Sequence, residues 1–129
     1  MNENDISYGI RGAIFKVYNN LGPGLLELVY EAALTFELKR DGFAVRTQVG
    51  LPVVYENEQL DLGFRIDILV NETVIVEIKS IEGLQQVHHK QVLTYLKLAN
   101  KKLGILVNFN TDNIADSIIR KVNNLYLSA

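Results

Sequence analysis

Leu60-Asp61-Leu62-Gly63-Phe64-Arg65-Ile66-Asp67-Ile68-Leu69-Val70-Asn71-Glu72-Thr73-Val74-Ile75-Val76-Glu77-Ile78-Lys79 is the stretch on which the fold turns. Leu60, Leu62, Phe64, Ile66 and Ile68 recur at every second position, the period of a strand whose alternate side chains share a face. Asn71-Glu72 reads as a turn, and Val74, Val76 and Ile78 repeat the period on a second strand. The short link predicts antiparallel pairing. Charged residues interrupt both strands. With the even positions facing the core, Asp67 falls on the opposite face beside Arg65, and Glu77 and Lys79 share a face with Ile75. A carboxylate and an ammonium on a half-covered strand are costly unless they are paired or bound to a metal.

Upstream, Phe43, Val45, Thr47 and Val49 alternate as another strand, and Val53-Val54-Tyr55 leads into a turn near Glu56-Asn57-Glu58, completing an antiparallel meander. Two helices precede it. Ile6, Ile10, Ile14 and Val17 keep helical spacing behind a cap at Asn4 or Asp5, and Leu21-Gly22-Pro23-Gly24 stops that helix. The second runs from about Leu25 to Arg40. Leu26, Val29, Ala33, Leu34, Phe36 and Leu38 make it apolar on most sides, so it is expected to be largely buried. Downstream, a helix spans about Leu84 to Ala99, and the apolar run Leu103 to Phe109 reads as a buried strand. Ile114 to Leu127 is read as a closing helix, although Ile118, Arg120 and Val122 also alternate as a strand would. The order is α-α-β-β-β-α-β-α, one α/β domain over residues 1–129.

Composition bounds the chemistry. With 129 residues, 48% of them hydrophobic, the chain can bury a real core without cross-links. The absence of cysteine excludes thiolate ligands, thiol nucleophiles and disulfides, and fits a reducing compartment. Met1-Asn2-Glu3-Asn4-Asp5 lacks the basic and apolar regions of a signal peptide, and no apolar run is long enough to span a bilayer, so a cytoplasmic protein without membrane contact is expected. A net charge of −2 supplies no overall field for nucleic acid. Phosphate contacts would need a local patch, for which Lys101, Lys102, Arg40, Arg46 and Lys90 are candidates that double as ordinary solvated surface.

A structural ion pair explains Glu77 and Lys79 as well as a functional site does. Asp67 tips the balance, because a meander can bring the two strands' carboxylates to one point, the usual way to hold a hard cation such as Mg²⁺. Phosphodiester hydrolysis follows: a cation held there activates water, and a neighbouring lysine orients that water or offsets developing charge. The Ile78 carbonyl is a further oxygen ligand in this reading.

Asp67 followed roughly ten residues later by Glu77-Ile78-Lys79 resembles the PD-(D/E)XK nuclease signature, with Ile66 where the signature has proline. Gly24-Leu25-Leu26-Glu27-Leu28-Val29-Tyr30 resembles the motif that names the GxxExxY protein family, and Arg65–Val70, Val76–Lys79 and Leu106-Val107-Asn108-Phe109 are similar to its other blocks. The resemblance implies a restriction-endonuclease-like core, with a mixed central sheet in α-β-β-β-α-β order and helices on both faces. It implies that Glu27 joins Asp67, Glu77 and Ile78 at a Mg²⁺ or Mn²⁺ ion, with Lys79 serving the attacking water. Glu27 is otherwise an exposed acid favoured by the helix dipole. Tyr30 either orients Glu27 or is core. His88, Gln91 and Tyr95 share a helical face, and Gln91 and Tyr95 resemble the Q-x-x-x-Y motif of the exonuclease-like branch, which supports the site and contacts nucleic acid; a polar stripe over the sheet is the plainer alternative.

Three functions follow from different classes. One is a metal-dependent nuclease on DNA or RNA, with a homodimer joining two shallow half-sites. The others are a non-catalytic interaction module that keeps the nuclease fold, and a subunit that needs a partner chain.

Overall fold

The computed structural model describes residues 1–125. Two helices, α1 (Glu3–Leu21) and α2 (Glu27–Arg40), precede strands β1 (Val45–Gly50), β2 (Val53–Tyr55), β3 (Glu58–Leu60), β4 (Arg65–Val70) and β5 (Val74–Lys79). Helix α3 (Gln86–Ala99), β6 (Leu103–Asn108), a 3-10 turn (Ile114–Ser117) and β7 (Ile118–Val122) complete the chain. The main sheet has the order β1-β4-β5-β6-β7. It is antiparallel except for the parallel pair β5–β6, which α3 connects. The expected mixed sheet is therefore present, flanked by helices.

Helices α1 and α2 cover one face, where Ile10, Ile14, Tyr30, Leu34 and Leu38 pack on Ile68, Val76, Ile78 and Ile105. On the other face Val92, Tyr95 and Leu96 of α3 meet Ile66, Leu69, Ile75 and Leu106. Such burial on both faces explains the near-continuous apolar runs of β5 and β6. Gly104 lets α3 approach β6, since a Cβ there would stand 2.8 Å from a Val92 methyl.

Several expectations are corrected. The α1 cap is Asn2, whose side chain accepts from the Asp5 N–H at 2.8 Å while Asp5 accepts from the Asn2 N–H at 3.2 Å, a closed capping box. Helix α2 buries only Tyr30, Leu34 and Leu38, leaving Leu26, Leu28 and Phe36 exposed. Spacing of four puts Tyr30, Leu34 and Leu38 on one stripe, which is all the sheet covers. The run from Leu60 to Ile68 is not one strand: β2 and β3 form a separate two-stranded sheet between β1 and β4, so the meander runs β1-β4-β5. The proposed closing helix is instead the 3-10 turn and β7, which pairs with β6 from Leu103↔Val122 to Val107↔Ile118. The buried strand β6 needs partners for its backbone on both sides, and that requirement outweighs local helix preference. Leu127 lies outside the described residues.

The alternation of β4 fails at one place. Ile66 packs toward α3, but Ile68 and Val70 pack toward α1 and α2. The β1–β4 register is unchanged from Thr47↔Ile68 to Val49↔Ile66 but the pair between them, Gln48 and Asp67, is not formed, and β4–β5 pairing stops at Ile68↔Val76. Opposite Asp67, Gln48 has φ 52°, a left-handed conformation that residues with a Cβ rarely adopt. Both strands turn over together at this rung, and β4 separates from β5.

Candidate active site

Asp67 and Glu77 occupy the fork. The Asp67 N–H donates to Glu77 Oε1 at 3.1 Å, and the Ile78 N–H donates to Asp67 Oδ2 at 2.8 Å. Each carboxylate thus takes a backbone donor from the strand opposite its own, where ordinary ladder bonds would have run. Glu77 is only 3% exposed. Burial, and then the Asp67 carboxylate beside it, push its pKa up to about 9 despite Lys79 nearby. Lys79 is half-buried, at the last rung of β5 against β6.

Asp67 also faces a cleft of about 110 Å³, lined by Glu27, Leu28, Glu31, Gln48 and Ile78 as well. Glu27 opens α2, and its Oε2 accepts from the Ser80 N–H at 3.1 Å. The Ser80 hydroxyl donates to the Leu25 carbonyl at 2.5 Å, fastening the segment after Lys79 to the start of α2. Gln48 Nε2 donates to Glu31 Oε1 at 2.6 Å and reaches Asp67 Oδ1 at 3.5 Å. Burial, then the Asp67 charge, raises the Glu31 pKa against the lowering effect of Gln48. A wider hollow of about 310 Å³ lies by His89, Asn110 and Asp116, but no charged side chain there is buried, so the chemistry points to the smaller cleft.

Tyr30 is wholly buried and stacks on Phe109, with ring centroids 4.3 Å apart. Its hydroxyl donates to the Gly22 carbonyl at 2.6 Å and accepts from the Leu25 N–H at 3.1 Å. Of its two readings the structure supports core, with an addition: Tyr30 clamps the turn at Gly24, φ 95°, from which α2 presents Glu27. Gln91 donates to the Tyr95 hydroxyl at 3.0 Å. Tyr95 packs with Ile75, whose face of β5 Glu77 shares, and its pKa is raised by burial and then by the Glu77 charge. His88 turns to its own helix, where its Nδ1 accepts from the Gln85 N–H at 2.9 Å as part of the α3 cap. Among the candidate phosphate contacts, Arg46 is held by Glu72, Arg40 by Glu37, and Lys101 by the Glu72 carbonyl.

A family model described as the PD-(D/E)XK nuclease superfamily matches residues 4–121. The chain belongs to that superfamily. No curated protein and no solved structure matches it. Nucleases of this superfamily generally depend on a divalent metal, and the donors at the fork suit one. Asp67 meets the buried Glu77 at the fork and, with Ile78, faces the oxygen donors Glu27, Glu31 and Gln48 across the cleft, which Glu77 itself does not line. The fit is incomplete in one respect. Among the described residues no three of Asp, Glu, His or Cys converge closely enough to enclose an ion, and Glu27 is engaged with Ser80.

Sequence reasoning missed Glu31, Gln48 and Ser80, which stand by Asp67 or hold Glu27. Glu31 was within reach, since it follows Glu27 by four residues and shares its helix face. Gln48 looked like the solvent side of an alternating strand, because its backbone conformation leaves no trace in the sequence.

Proposed function

We propose that the chain is a divalent-metal-dependent nuclease that hydrolyses phosphodiester bonds in DNA or RNA. The observation that carries this reading is the carboxylate pair at the fork, with Lys79 two residues beyond Glu77 on the same strand. Asp67, Glu77, the Ile78 carbonyl and Glu27 would hold Mg²⁺ or Mn²⁺. Such a cation, when bound, lowers the pKa of water and offsets charge on phosphate. Lys79, whose charge acts on Glu77, would orient water or stabilise negative charge developing on phosphate. Gln91 fixes the Tyr95 hydroxyl on the Glu77 side of the sheet, and Tyr30 fixes the turn that carries Glu27. The Gly24, Glu27 and Tyr30 spacing supports a closer affiliation with the GxxExxY group.

The test is cleavage of labelled single- and double-stranded DNA and of RNA with Mg²⁺ or Mn²⁺. Lys79→Ala is expected to lose all of it while its circular dichroism spectrum is kept; equal cleavage by this variant would refute the assignment. A non-catalytic module is the second reading, favoured by the engagement of Glu27 with Ser80. Calorimetry separates the two, because only a nuclease site needs to bind Mn²⁺ there.

A further inference from the structure

We infer that Asn108 is a positioning residue for this site, acting through the peptide of Ile81. The inference rests on the nuclease reading and extends it to the segment that follows Lys79. At the final β5–β6 rung Lys79 stands opposite Asn108, and the Phe109 N–H donates to the Lys79 carbonyl at 2.9 Å. Beyond that rung the chain leaves the sheet as a loop, where no strand partner remains to hold it.

The Asn108 carboxamide takes the place of a partner. It is 4% exposed. Its Oδ1 accepts from the Ile81 N–H at 3.1 Å, and its Nδ2 donates to the Ile81 carbonyl at 3.0 Å. The same Oδ1 accepts from the Asn110 N–H at 3.2 Å, and Asn110 Nδ2 donates to the Ile81 carbonyl at 3.1 Å. A side-chain amide carries a donor and an acceptor in one plane, as a peptide does, so it satisfies both polar groups of a single residue.

What Asn108 clamps is functionally placed. Two residues before Ile81 is Lys79. Between them Ser80 gives its N–H to Glu27 and its hydroxyl to the Leu25 carbonyl. One buried amide therefore sets the path of a segment that carries the ammonium group and tethers the helix-borne acid. A buried asparagine that merely closed a loop would affect stability alone. One that positions these groups affects cation affinity and turnover as well, as groups behind metal ligands do.

The experiment compares Asn108→Ala and Asn108→Asp with the wild-type chain, by calorimetric titration with Mn²⁺ and by cleavage kinetics on one labelled oligonucleotide. Ile105→Val trims the same strand inside the core and serves as the control for lost stability. Both Asn108 variants are expected to lose about 10–100-fold in Mn²⁺ affinity or kcat, with KM held within about twofold. Ile105→Val is expected to lower Tm and move neither quantity. Asn108→Asp keeps the size and the acceptor but lacks the donor to Ile81, so it decides the matter if Asn108→Ala does not fold. Wild-type Mn²⁺ affinity and kcat in Asn108→Asp would overturn the inference and leave the nuclease reading standing. A wild-type chain that neither binds Mn²⁺ nor cleaves would overturn both.

Discussion

Replacing Glu77 by glutamine should make the metal-free protein more stable. In the folded chain the Glu77 pKa is raised from 4.5 to about 9, by burial and then by Asp67. Asp67 faces it from β4, Lys79 from its own strand and Tyr95 from α3. The unfolded chain releases this proton at ordinary acidic pH and the folded chain retains it. Stability from this group is thus full below pH 4.5 and is lost progressively as pH rises through 9. At pH 7 the mismatch spans 2.5 pH units above the ordinary carboxyl value of 4.5, a cost of about 3 kcal/mol at 1.36 kcal/mol per unit. Glutamine has no proton to lose, keeps an acceptor for the Asp67 N–H, and offers Asp67 a donor. In urea denaturation with a chelator present, Glu77→Gln should gain about 3 kcal/mol at pH 7, worth about 10 °C in Tm for a chain of this size. The gain should shrink to under about 1 kcal/mol at pH 5, because the slope is about 1.4 kcal/mol per pH unit. Saturating Mn²⁺ should restore the wild type by about 3 kcal/mol at a hundred times its Kd and leave the variant behind. Parallel pH curves for the two proteins, or a variant less stable than wild type at pH 8, would refute the reasoning.

Two further perturbations test the supports of the site. Tyr30→Phe keeps the stack on Phe109 but strips the Gly22 carbonyl and the Leu25 N–H of their partner; it should cost about 1–3 kcal/mol by urea denaturation, and an unchanged midpoint would deny the clamp. Gly104→Ala would put a Cβ 2.8 Å from a Val92 methyl and 3.4 Å from a Leu96 methyl, so it should cost about 1–3 kcal/mol by overpacking α3 on β6; a neutral result would mean that α3 moves freely on the sheet.

What was legible in the sequence was what depends on neighbours along the chain. The period of two in Val74, Val76 and Ile78 and the apolar run around Ile68 are local, so β4 and β5 could be read as strands, as could α1 and α3 as helices. The turn from Gly22 to Glu27 was marked by glycine and proline. Errors arose where a distant partner decides. Ile118–Val122 becomes a strand because β6 has an open side. Leu26, Leu28 and Phe36 stay exposed because the sheet meets one stripe of α2. Asn108 looked like the end of a buried strand, and only the folded loop reveals that its amide holds Ile81. Glu27 is exposed, as its place at the start of a helix suggests, and resemblance alone draws attention to it.

The irregularities of the molecule belong to one event. Gln48 takes a left-handed conformation, β1–β4 pairing skips a rung, Ile66 and Ile68 face opposite ways, and β4 stops pairing with β5. All four occur at or beside the rung of Asp67. A left-handed residue with a Cβ costs about 1–2 kcal/mol, and leaving Glu77 buried beside another carboxylate costs more. Such costs persist where the surrounding structure enforces them, and they concentrate at working sites. Here the enforcement is visible: Ile66 and Val49 pack on the α3 side, Ile68 and Val45 on the α1–α2 side. The two cores thus pull adjacent parts of the same strands to opposite faces. The turnover frees the Asp67 and Ile78 amides from the ladder, and the two carboxylates enter to accept them. A sheet that ran straight through Asp67 would set it directly across from Glu77 on the α3 face; the turnover instead aims Asp67 at the cleft beside α2, where Glu27, Glu31 and Gln48 stand.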